Sequence, residues 1–145
     1  MKNNLLRLFA LLFIVSATVA CTKDDPEPDY MKLLTAHTWV MSNAKAETDD
    51  PELLERMEGI YLVLSYTQIT FNENGTYSGT DGNGTWEFSS DNKKIIFDQN
   101  TYNKTEWPIR ELNAGSLKVS CVAVMVDTEN NVDKVKINLD LVPKK

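Results

Sequence analysis

Apolar and polar residues alternate along most of the second half of the chain. Ile69 and Phe71 alternate with Gln68 and Thr70, and Trp86 and Phe88 with Thr85 and Glu87. Val135, Ile137, Leu139 and Leu141 alternate with Lys136, Asn138 and Asp140. A period of two marks strands with one buried face, and the pattern predicts strands from Tyr61 onward. Polar turns separate the runs: Glu73-Asn74-Gly75, Asp81-Gly82-Asn83-Gly84, Ser89 to Asn92, Gln99 to Asn103, Asn113-Ala114-Gly115 and Asp127 to Asp133. With Trp39 to Lys45 as the first strand, the chain holds about eight strands, enough to close a sheet and remove its edges. The predicted fold class is all-β, an up-and-down antiparallel meander closing into a roughly eight-stranded barrel.

Two short helices interrupt this pattern. Tyr30 to Ala36 places Tyr30, Met31, Leu33 and Leu34 at helical spacing. Asp50-Pro51-Glu52 offers an N-cap followed by proline at the first helical position, and Gly59 fits a C-terminal cap, so Pro51 to Glu58 reads as an inserted helix. Pro108 inside a strand removes a ladder donor and predicts a bulge or an unpaired position near Trp107. From Leu117 to Val126 both faces are apolar: Leu117, Val119, Cys121, Ala123 and Met125 on one, Val122, Val124 and Val126 on the other. The outer face calls for a cover, and one of the two helices is the expected one.

The N-terminus carries a different signal. Lys2 and Arg7 precede the unbroken apolar run Leu8 to Val15, and small residues follow at Ser16, Ala17, Thr18 and Ala20. This is the order of an export signal, and the run is shorter than the roughly 20 apolar residues that span a bilayer. Thr18-Val19-Ala20-Cys21 resembles the bacterial lipobox, with Thr18 where Leu is usual, and Thr22-Lys23-Asp24-Asp25 resembles the export tag of surface lipoproteins of Bacteroidota. The resemblance implies a signal peptide over 1–20, cleavage before Cys21 and lipidation of that cysteine. It further implies a lipid anchor in the outer membrane that faces outward. Residues 21–29 then form an acidic, proline-containing tether of roughly 25 Å at full stretch, and 30–145 the barrel domain. The competing arrangement is cleavage after Ala20 that leaves Cys21 free to pair with Cys121.

Charge narrows the partners. The first twenty residues hold two of the 15 basic residues and none of the 21 acidic ones, which leaves 13 against 21 and a net charge of −8 for the rest. A nucleic-acid surface needs clustered Lys and Arg, so nucleic acid is not an expected partner. Candidate chemistry is sparse. His37 is the single histidine, with no flanking carboxylate or cysteine pair to make a metal site or an acid–base dyad. Cys121 lies between Ser120 and Val122, with no neighbouring cation to activate it, and reads as a buried inert thiol. Asp81, Asn83 and Thr85 have the spacing of a calcium loop's first ligands, but Asn92 stands where its final Glu belongs. Asn74-Gly75-Thr76, Asn83-Gly84-Thr85 and Asn103-Lys104-Thr105 match a glycosylation sequon and read as turn chemistry. Neither a catalytic group nor a cofactor is expected.

Six aromatic residues share the inward face: Phe71, Tyr77, Trp86, Phe88, Phe97 and Trp107. Two readings stay open for them. They fill the barrel as core, the commoner arrangement in small barrels, or they line a cavity for a flat apolar ligand.

The chain resembles the lipocalin-like domains of Bacteroidota lipoproteins. The likeness is carried by Leu33-Leu34 followed by Trp39, by Ile69 to Tyr77, by Gly84-Thr85-Trp86-Glu87-Phe88, by Lys94-Ile95-Ile96-Phe97, and by Ile109 and Leu112 before Leu117. It covers about residues 30–142. Lipocalins open their first strand with Gly-x-Trp, whereas His37-Thr38-Trp39 stands here without the glycine. The resemblance implies a lipocalin-like barrel with Trp39 closing its floor, a small apolar ligand and no cofactor. The alternative function is a filled barrel whose outer surface binds an envelope partner protein or a glycan.

Overall fold

The computed structural model describes residues 28–126 and 130–145. The expected signal peptide, the lipidated Cys21 and nearly all of the tether lie outside the described residues. The elements run α1 (Tyr30–Thr35), β1 (Thr38–Ala46), α2 (Pro51–Leu64), β2 (Gln68–Phe71), β3 (Thr76–Gly79), β4 (Gly82–Phe88), β5 (Lys94–Phe97), β6 (Thr105–Asn113), β7 (Ser116–Val126) and β8 (Val132–Pro143). Each strand pairs antiparallel with the next, and β8 returns to pair with β1, so the described strands form one closed up-and-down barrel. The eight-strand meander read from alternation is the observed fold.

One end of the barrel is plugged. Asp29 caps α1 by accepting from the Lys32 N–H at 3.0 Å, and Leu34 at the helix end is fully buried. The Trp39 indole N–H donates to the Leu34 carbonyl at 2.8 Å, which fastens α1 beneath the barrel. Leu34 and Trp39 belong to one buried core cluster with Phe71, Trp86, Ile95, Leu117 and Leu141. Trp39 therefore has the floor-closing place that the lipocalin resemblance implies.

The opposite end is partly covered by α2. Asp50 caps it by accepting from Glu52 and Leu53, and Pro51 takes the first helical position, as the sequence predicts. The helix does not stop at Gly59; it continues to Leu64 and includes Tyr61, where the period of two was expected to begin. Leu53, Met57, Ile60, Tyr61 and Leu64 sustain an apolar stripe at helical spacing and pack on the core, which outweighs the helix-ending preference of one glycine. The Tyr61 hydroxyl accepts from the Ala46 N–H at 2.8 Å, and Arg56 pairs with Asp133 at 2.6 Å, so α2 is tied to β1 and to the β7–β8 hairpin.

The bulge or unpaired position expected near Trp107 is present: Pro108 pairs with Lys94 of β5 but has no partner in β7, and the register of β6 against β7 shifts between Ile109 and Glu111. Two further expectations are corrected. The second hairpin turns at Thr80-Asp81; Gly82 to Gly84 already belong to β4. Neither helix covers the outer face of β7: Val122, Val124 and Val126 are about three-fifths exposed, as is Val132 opposite Val126. Helix α2 buries its stripe against the interior and α1 lies at the plugged end, so among the described residues no helix covers that face.

A candidate ligand cavity at the barrel mouth

The β3–β4 turn and the β5–β6 loop rise beside α2 at the open end, and a cavity of about 400 Å³ lies among them. Its apolar wall is Ile69, Tyr77, Phe97 and Trp107; its polar lining includes Thr67, Asp81, Asn83, Asp98, Asn103 and Thr105.

The structure divides the six predicted aromatics. Tyr77, Phe97 and Trp107 line this cavity. Phe71 and Trp86 lie below it, buried in the core, and Phe88 is half-buried near the plug. The six nevertheless form one chain of ring contacts. From the plug, Tyr30 meets Phe88 at 6.4 Å between centroids, Phe88 meets Trp86 at 5.3 Å, and Trp86 meets Phe71 at 5.3 Å. Phe71 then meets Phe97 at 6.0 Å, and Phe97 meets Tyr77 at 5.1 Å and Trp107 at 4.8 Å. Most of these contacts are edge-to-face, the arrangement that the ring quadrupole favours. The rings thus pack as core in the lower part of the barrel and form the apolar wall of the cavity at its mouth.

The polar side of the cavity is organised around Asp98, the residue that follows β5. It has a positive φ of 47°, a conformation that Asp tolerates better than most residues. Its Oδ1 accepts from the Thr85 N–H at 2.9 Å and from the Thr85 hydroxyl at 3.4 Å. Its Oδ2 accepts from the Tyr77 hydroxyl at 3.3 Å. Gly84 makes the arrangement fit, because a Cβ there would collide with the Asp98 carboxylate and come within 2.9 Å of the Tyr77 ring. A glycine within a strand is the signal that could have revealed this close approach. Burial, then the charge and hydrogen bond of Asp98, push the Tyr77 phenol above its ordinary range, so the hydroxyl stays a donor. Thr67 also lines the cavity; it is 7% exposed, and its hydroxyl has no hydrogen-bond partner among the described residues.

Of the other singled-out residues, His37 and Cys121 lie apart from this cavity, whereas Asp81 and Asn83 belong to its lining. His37 sets its ring edge-on to Trp39 at 5.8 Å. Cys121 lies on the inner row of β7, and burial pushes its thiol up to about 11. Asn83 and Thr85 are β4 residues whose neighbours are those of a strand, and among the described residues no three His, Cys, Asp or Glu side chains come together to hold a metal ion.

No protein-family model matches the chain, and no curated protein matches it. Among solved structures, the chain is similar to a DUF4847-family protein from Bacteroides vulgatus. That likeness has 13% identity and a TM-score of 0.47, and covers 79% of this chain and 96% of the other. It is also similar to bovine odorant binding protein in complex with a selenium-containing odorant, at 14% identity and a TM-score of 0.45, covering 86% of this chain and 78% of that one.

Proposed function

We propose that this protein is a non-catalytic binding protein of the bacterial envelope whose barrel mouth holds a small, flat, largely apolar molecule. The observation that carries the reading is the mouth cavity walled by Tyr77, Phe97 and Trp107 above an interior that is otherwise filled. Its volume of about 400 Å³ is within the range of small-molecule sites, roughly 300–1,000 Å³. Apolar ring faces supply affinity by leaving water, and a few convergent polar groups fix orientation. The unpartnered Thr67 hydroxyl adds support, since a buried polar group without a partner costs about 1–3 kcal/mol and a ligand hydrogen bond would relieve it.

Of the three tryptophans, Trp107 alone lines the cavity; Trp39 and Trp86 are buried below it. Titration with the neutral naphthyl probe N-phenyl-1-naphthylamine should therefore quench tryptophan emission with saturation, and Trp107→Leu should abolish most of that quenching. Emission indifferent to the probe would contradict the reading.

The envelope placement rests on the order of charged, apolar and small residues before Cys21. Diacylation of Cys21 would give stable anchoring in the outer membrane, whereas one chain alone binds only marginally. Mass spectrometry of the N-terminal peptide tests it: a lipid-modified Cys21 supports the anchor, and an unmodified thiol or a Cys21–Cys121 disulfide removes it.

A second reading has an observation of its own. Val122, Val124, Val126 and Val132 form an uncovered apolar strip on the outside of the β7–β8 hairpin. Such strips mark partner surfaces. A photocrosslinker at position 124 in intact cells would join a specific envelope protein if this face is used, and would label nothing reproducibly if it is not.

A further inference from the structure

The mouth cavity carries charge of one sign only. Asp81 and Asp98 are among its lining residues, and no Lys, Arg or His is. Lys104, next to the lining residues Asn103 and Thr105, is committed to Glu106 at 3.1 Å, and Lys94 joins the same carboxylate at 2.9 Å. Among the described residues, therefore, no cation stands within the cavity to neutralise the lining acids.

Asp98 is also held ready. Gly84 leaves room for its carboxylate, and the Thr85 N–H and hydroxyl occupy Oδ1. Oδ2 has only the 3.3 Å bond from Tyr77, so it keeps acceptor capacity toward the cavity. The Thr67 hydroxyl, nine-tenths buried and unpartnered, is a second group on the lining that a ligand N–H would satisfy. Beside these acceptors stand three ring systems, and aromatic faces attract cations as well as flat apolar groups.

We infer that the mouth cavity selects a flat aromatic molecule bearing a protonated amine, an arylalkylammonium, over its neutral and anionic counterparts. The inference rests on the proposed binding role of this cavity and names the ligand class. The ring lies against Tyr77, Phe97 and Trp107, and the ammonium donates to Asp98 Oδ2, with Asp81 adding to the negative potential. A carboxylate-bearing ligand meets the same field as repulsion, in a site partly withdrawn from water where charge interactions are screened less.

The test compares three indoles of nearly equal size by calorimetry on the purified protein at neutral pH: tryptamine, its uncharged counterpart tryptophol, and indole-3-acetate. Tryptamine should bind at least about tenfold tighter than tryptophol, and indole-3-acetate weakest. Asp98→Asn keeps an acceptor for Thr85 and tolerates the same backbone conformation. It should erase most of the tryptamine preference, read as the ratio of tryptamine to tryptophol affinity within the same variant. Asp81→Asn, at an exposed turn that carries no core packing, should reduce the preference by a smaller factor. Tryptophol binding as tightly as tryptamine, or a tryptamine preference unchanged in Asp98→Asn, overturns the charge selection and leaves the binding role standing. Failure of all three indoles together with failure of the naphthyl probe overturns both.

Discussion

The carboxylate of Asp98 lies directly against the bare Cα of Gly84, at the upper edge of the barrel where β4 and β5 part. This one contact lets Asp98 satisfy the Thr85 N–H just beyond the last β4–β5 pair, Trp86 with Phe97, and lets Tyr77 reach its second oxygen. Strand pairing, backbone conformation and the polar side of the cavity therefore depend on the absence of a side chain at position 84.

Gly84→Ala should displace Asp98 and Tyr77 together. Loss of the carboxylate's bonds, in a place where the backbone has a positive φ, should cost about 1–3 kcal/mol. Urea unfolding measures the loss, and probe affinity should fall in parallel. An alanine variant as stable as the parent would show that the contact is slack.

Trp39→Phe should destabilise more. It removes a fully buried indole ring portion and leaves the Leu34 carbonyl without its 2.8 Å donor. Together the cavity and the unpaired acceptor should cost roughly 2–4 kcal/mol. Thermal unfolding followed in the near-ultraviolet would register it, and an unchanged midpoint would contradict the role of Trp39 as the pin for α1.

Gly59→Ala should do the reverse. Gly59 is exposed in the interior of α2, and a Cβ there would meet nothing within 4 Å. The helix should gain roughly 0.5–1 kcal/mol, because alanine loses less chain entropy and favours the conformation already present. Destabilisation at this site would mean that α2 bends or ends at Gly59.

Cys121 makes a prediction with a defined sign. Burial alone raises its thiol from the ordinary range near 9.0 to about 11. The protonated form is thus favoured by folding: this contribution is fully present below about 9 and is lost as pH rises through about 11. A thiol reagent at pH 8 should react slowly with the native protein and rapidly in urea. Equal rates would show that the thiol is exposed in the native state.

The fold was legible because alternation repeats: a strand such as Val135 to Leu141, with one polar residue between each apolar pair, has one way to face a core. Caps were equally legible, since Asp50 and Pro51 act through neighbours within a few residues. Gly59 misled because its local preference competes with the stripe from Leu53 to Leu64, which is decided by packing on β1. The valines of β7 misled through the assumption that apolar faces are covered, whereas the helices were needed at the two barrel ends. The cavity itself was illegible. Phe71 and Phe97 have the same alternation and the same residue type, yet only Phe97 lines the mouth, because alternation gives the face of a strand and not the height of a residue along the barrel axis. Asp98 was hidden for the same reason, since its partners Tyr77, Gly84 and Thr85 lie on two other strands.

Native mass spectrometry of the protein, extracted gently from its own membranes and then delipidated, decides whether the barrel mouth holds a ligand. A second, non-covalent mass of a small aromatic molecule should stay with the folded chain and be lost in the Trp107→Leu variant. A bare chain mass, obtained with the fold intact and unchanged by added naphthyl probe, would contradict the binding role.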